Sequence, residues 1–140
     1  MSQENVEVLR RSYEAWNRGD RDAAFEFLEP EFELQLPEGG MNVGSFQGRE
    51  ATTTLVQDYL EVFDFFQMEP EEFFEAGDRI VVFVRTPARG KGSGVEVEFR
   101  PAHVWTMPAG KAVRLEVFPE RQKALEAVGL SELDAHADAS

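Results

Sequence analysis

The sequence predicts an α+β domain: a cone-shaped, curved antiparallel sheet with three N-terminal helices packed over its concave face, in the order ααβαββββα. Two periodicities and one hairpin carry that prediction. Apolar residues recur at three- and four-residue spacing through much of residues 1–66, the period of a helix with one buried stripe. From residue 67 onward they recur at close to every second place, the period of a strand with one buried face. The runs VEVEFRPAHVWTM (95–107) and AVRLEVF (112–118), joined by Pro108-Ala109-Gly110-Lys111, read as a long antiparallel hairpin. Helices gathered ahead of strands belong to the α+β class.

In chain order, Ser2 can cap a first helix with Glu4 in its first turn, and Val6, Leu9, Tyr13 and Trp16 form its apolar stripe. Gly19 ends it. Asp20 caps a short helix over 21–28, which Pro30 stops. Phe32, Leu34 and Leu36 alternate with Glu33 and Gln35 as a first strand, and 37–48 is a Gly-rich loop in which Phe46 is too apolar for solvent. A third helix is expected over 49–66, with Leu55, Val56, Tyr59, Leu60, Phe63 and Phe66 buried. Its Thr52-Thr53-Thr54 turn depends on packing rather than propensity. QMEPEEFFEA (67–76) is a strand, and Ala76-Gly77-Asp78 turns it into Arg79–Thr86. The continuous Ile80–Val84 run implies burial on both faces, or one face in the core and the other at a subunit contact. Segment 88–94 is a flexible loop, 120–128 a last helix ended by Gly129, and 131–140 an acidic tail beyond a single domain of residues 1–130.

Composition narrows the function. At 140 residues with 42% hydrophobic content the chain can bury a core. A formal net charge of −13 makes nucleic acid and anionic membranes poor partners. No run reaches the length of a membrane span, MSQENVEV lacks a signal pattern, and a cytoplasmic location is the expectation. Without cysteine there is no disulfide, thiolate metal site or Cys nucleophile.

Several motifs fail on spacing. Gly90-Lys91-Gly92-Ser93-Gly94 lacks the strand-to-helix setting of a phosphate loop. Two histidines without HExxH give no metal site, and Glu69, Glu71, Glu72 and Glu75 read as a solvated edge. No serine nucleophile motif is present. Acid/base work remains. On an ideal hairpin His103 shares parity with Trp105, and Arg114 with Glu116 and Phe118. On one face these would form a proton-handling set; the alternative is a structural polar cluster on the outer, subunit-facing side.

Tyr13–Asp20 (YEAWNRGD), Phe46–Glu50 (FQGRE), Ala76–Arg79 (AGDR) and His103–Thr106 (HVWT) followed by Gly110-Lys111 resemble a SnoaL-like domain. That group belongs to the cone-shaped superfamily of nuclear transport factor two and ketosteroid isomerase, and the resemblance spans residues 3 to about 130. It specifies the fold better than the activity. The isomerase pattern has a tyrosine on the first helix, which Tyr13 is near. Its two acids are absent, since Leu36 precedes Pro37 and Ala102 stands beside His103. The epoxide-hydrolase pattern of Asp-Arg-Asp has no counterpart. Similarity to SnoaL-type polyketide cyclases implies a histidine, matched by His103, and an acid, for which Glu116 or Glu120 is available. The resemblance implies a cofactor-free, metal-free acid/base enzyme of cyclase, isomerase or hydrolase type on a small apolar carbonyl compound, as a homodimer packed through the outer sheet face. Tyr13, Trp16, Leu36, Phe63, Trp105 and Arg114 are the expected ligand-contacting side chains. The competing expectation is a non-catalytic ligand-binding or dimeric scaffold module.

Overall fold

The computed structural model describes residues 2–36 and 44–130. Helix α1 (Ser2–Asn17) buries Leu9, Tyr13, Ala15 and Trp16. Gly19 ends it by adopting φ 84°, which lets its N–H reach Trp16 C=O and the Asp20 N–H reach Ala15 C=O. Asp20 then caps α2 (Arg21–Phe25), its carboxylate accepting from Ala23 N–H at 3.1 Å. The chain turns to strand earlier than expected, and β1 runs Leu28–Leu36. Pro30 sits inside it instead of stopping a helix. The pairing of β1 is irregular between Leu28 and Glu33, where a missing N–H is tolerated.

Strand β2 (Gly44–Gln47) pairs antiparallel with β1, so the expected loop is partly strand; residues 37–43 lie outside the described residues. Phe46 packs against the main core. Helix α3 (Arg49–Leu60) stops at Leu60, not at 66. Phe63–Phe66 is β3, where aromatic side chains suit a pleated, half-buried surface better than another helical turn. Then follow β4 (Glu69–Ala76), β5 (Arg79–Gly90), β6 (Glu96–Phe99), β7 (Ala102–Thr106), β8 (Ala112–Phe118) and α4 (Arg121–Ala127).

The eight strands form one curved, open sheet with the path β2-β1-β8-β7-β5-β3, β4 and β6 also pairing with β5. It is mixed rather than wholly antiparallel, because β1 runs parallel to β8. Strand β5 is long enough to pair twice on each side: its first part with β4 and β7, its second with β3 and β6. Residues 88–90 are therefore strand, not loop. The expected single strand over 95–107 breaks at Arg100-Pro101, and only 102–106 forms the hairpin with β8.

Alternate residues of the sheet feed two cores. Leu34, Leu36, Ile80, Val82, Val84, Trp105 and Leu115 face α1, α2 and α3 in the larger one. Val81, Phe83, Ala102 and Val104 face the other way, where Ala124, Leu125 and Val128 of α4 and its C-terminal end cover them. The Ile80–Val84 run is thus buried on both faces within one chain.

Candidate functional site

His103 and Trp105 project from β7 to the helix side of the sheet. The hairpin register sets their neighbours: His103 lies opposite Val117 and Trp105 opposite Leu115, and directly paired residues share a face. Across the gap, α1 brings Tyr13. Its hydroxyl lies 2.7 Å from His103 Nδ1 and accepts a hydrogen bond from Trp105 Nε1–H at 3.0 Å. The Tyr13 and His103 rings are nearly parallel, with centroids 5.8 Å apart. Phe27 and Phe32 pack against Trp105 at 5.2 and 6.2 Å and fix its indole.

These three side chains are buried, His103 with only 4% of its surface exposed. Burial in apolar surroundings pushes its imidazole down to about 4, since the charged form loses its hydration. The ring is therefore neutral at physiological pH. It borders a cavity of about 30 Å³ whose wall includes Tyr13, Trp16, Phe25, Leu55, Met68 and Trp105. Ser12 also lines it, but its hydroxyl donates to Ala24 C=O at 2.7 Å. No carboxylate, lysine or arginine lines the cavity among the described residues, and among those residues no group of three His, Cys, Asp or Glu side chains could hold a metal ion.

Tyr13, Trp16, His103 and Trp105 thus meet at one cavity. The other expected site residues do not join them. Glu116 pairs with Val104 and Arg114 with Thr106, which turns both away from His103. There Arg114 lies 3.4 Å from Glu33 and 3.5 Å from Glu116, a structural ion-pair cluster. Glu120 precedes α4, exposed and without a side-chain capping bond. Leu36 belongs to the same core without lining the cavity. Phe63 packs on Phe66 and Phe99, away from it. The expected histidine–acid pair fails because the register is one place out from the one it needs, and one place reverses every face. Sequence reading missed Leu115, Val117 and Met68 as lining residues; parity with His103 across a known register would have found the first two.

The model of the SnoaL-like domain matches residues 9–115. The chain belongs to the SnoaL-like family. No curated protein sequence matches it. Solved structures share the fold of this SnoaL-like chain. TerC, co-crystallised with polyporic acid, is 26% identical over 89% of this chain and 98% of its own, with a TM-score of 0.75. An NTF2-like protein of unknown function from Burkholderia pseudomallei K96243 is 24% identical over 90% and 98%, also at 0.75. A protein named as a SnoaL-like polyketide cyclase, from Jannaschia sp. CCS1, is 23% identical over 83% and 85%, at 0.70. No helix among the described residues is long and apolar enough to cross a membrane.

Proposed function

We propose that this SnoaL-like chain binds a small, largely apolar carbonyl compound in the cavity beneath α1 and handles a proton there through His103, without a cofactor. The observation that carries the reading is the buried Tyr13–His103–Trp105 set, a polar group in a wall whose other described side chains are apolar except for Ser12, which is bonded to Ala24 C=O. Such a wall binds by burial, while a few placed polar atoms orient the ligand. The reaction class is isomerisation, in which a proton moves between carbons through an enolate, or aldol cyclisation, in which the enolate carbon bonds to a second carbonyl carbon and the proton ends on the oxygen of the opened C=O. In both, charge on a carbonyl oxygen is stabilised. TerC's co-crystallisation with polyporic acid makes that compound the first ligand to try.

Binding without turnover is the second reading. It is favoured by the lack of any carboxylate among the described cavity-lining residues.

The test is thermal unfolding of the purified chain with polyporic acid and a panel of aromatic ketones, followed by turnover assays on any ligand found. A ligand at a hundred times its dissociation constant adds roughly 2.7 kcal/mol, a rise of several degrees. A shift together with turnover that His103→Asn abolishes supports the enzyme. A shift with no turnover supports the binding module, and no shift across the panel removes both.

A further inference from the structure

We propose that Tyr13 is a positioning residue that holds the single imidazole proton of His103 on Nε2, so that the pocket presents a hydrogen-bond donor and selects ligands by an acceptor oxygen. The ligand half rests on the small-molecule reading above; the proton half concerns the free chain alone.

An indole N–H only donates, so the contact from Trp105 uses the Tyr13 oxygen as an acceptor. The remaining question is which way the Tyr13–His103 bond runs. Its 2.7 Å length matches an O–H donor. O–H donors to oxygen favour about 2.7–2.8 Å, whereas 2.7 Å is the short limit of the roughly 2.7–3.2 Å that N–H donors to oxygen span. Tyr13 therefore donates to Nδ1. A neutral imidazole has one N–H, which this arrangement leaves on Nε2. That atom makes no hydrogen bond among the described residues, and its ring borders the cavity.

The surroundings keep the ring neutral. Among the described residues, α1 offers Tyr13, the only other titratable side chain at the cavity, and those lining it from α2, α3 and β8 are apolar. A neutral N–H donor at a carbonyl oxygen stabilises negative charge as it builds there, and no reorganisation is needed. The opposite proton placement would make Nε2 a bare lone pair, suited to a donor ligand or to abstracting a proton. The two arrangements therefore prefer opposite ligands.

Two measurements test this. Long-range ¹H–¹⁵N correlation of the ¹⁵N-labelled chain at neutral pH reads the tautomer, with His103→Asn used to assign the signals of the second histidine. The Nε2-protonated pattern is expected in the wild type and in Trp105→Phe, which keeps the Tyr13 hydroxyl, with a shift toward a mixed pattern in Tyr13→Phe. An Nδ1-protonated ring overturns the assignment, and the wild type alone decides it if a variant does not fold. Cyclopentanone and pyrrole, five-membered rings that are respectively acceptor-only and donor-only, then read selectivity by chemical-shift titration. The ketone is expected to bind at least about fivefold tighter, the worth of one net hydrogen bond. Equal or reversed affinities overturn the selectivity. An Nε2-protonated ring with neither probe bound upholds the proton assignment, and overturns the ligand half together with the small-molecule reading.

Discussion

His103 gives the native state a pH dependence of definite sign. Its imidazole titrates at 6.5 in an unfolded chain and at about 4 when buried. Between those values the unfolded chain holds a proton that the native chain does not, so stability falls as pH drops through the window. Above it the group contributes no slope. At about 1.4 kcal/mol per pKa unit, the loss reaches roughly 3 kcal/mol by pH 4. Urea unfolding of wild type and His103→Asn between pH 4 and 7 isolates this term, because the carboxylates are common to both. The two stability curves should converge by that amount as pH falls; parallel curves would show that the ring is not buried as a neutral group. At the neighbouring position, Tyr13→Phe removes the acceptor of Trp105 Nε1–H and the partner of His103 Nδ1 together. Each buried group left unpaired costs roughly 1–3 kcal/mol, so a loss of about 2 kcal/mol or more is expected in the same assay at neutral pH.

At the scale of elements, the wall of the site depends on a clamp between α1 and the start of β4. Asn17 Nδ2–H donates to Met68 C=O at 2.8 Å, and Met68 N–H donates to Asn17 Oδ1 at 2.8 Å. The side-chain amide thus replaces the missing ladder partner of Met68, a residue of the cavity wall. Asn17→Ala should cost about 1–3 kcal/mol and raise hydrogen exchange at the Met68 amide far above that at β5. Uniform exchange changes across the sheet would show a global effect instead. The clamp was not legible in the sequence, since Asn17 reads there only as a residue near a helix end. Legibility stopped at the same level elsewhere. Period alone marked Leu34 and Leu36 as one buried face, and His103 with Trp105 as another. It did not show what stands opposite them. The β7–β8 register decides that, pairing His103 with Val117 and Val104 with Glu116, and period does not encode it. Parity along each strand leaves open whether Glu116 shares the face of His103, and a register one place over puts it on the opposite one.

For the molecule as a whole, charge is the property most visible in the sequence and least visible in its arrangement. The run Glu69–Glu75 reads as a solvated edge, yet Glu69 and Glu71 belong to a chain of alternating ion pairs that crosses the outer face. Glu69 meets Arg85 at 3.2 Å and Arg85 meets Glu98 at 2.7 Å; Glu98 meets Arg100 at 2.9 Å. Arg100 lies 3.6 Å from Glu71, which meets Arg121 at 2.6 Å. The hydrogen bond between Arg85 and Glu98 raises the pKa of the first and lowers that of the second. Salt acts on this chain and on the net charge of −13 in opposite senses. Going from 10 to 150 mM salt shortens the Debye length from about 30 to about 8 Å. That screens repulsion across the molecule far more than contacts at ion-pair distance, and exposed pairs are individually worth little. The urea midpoint should therefore rise over this range. Arg85→Gln removes the cation that joins β4 to β6 and one compensating charge, so its midpoint should rise more steeply with salt than that of the wild type. A midpoint that falls with salt in the wild type, and falls less in Arg85→Gln, would mean that the ion-pair chain outweighs the repulsion and holds the outer face together.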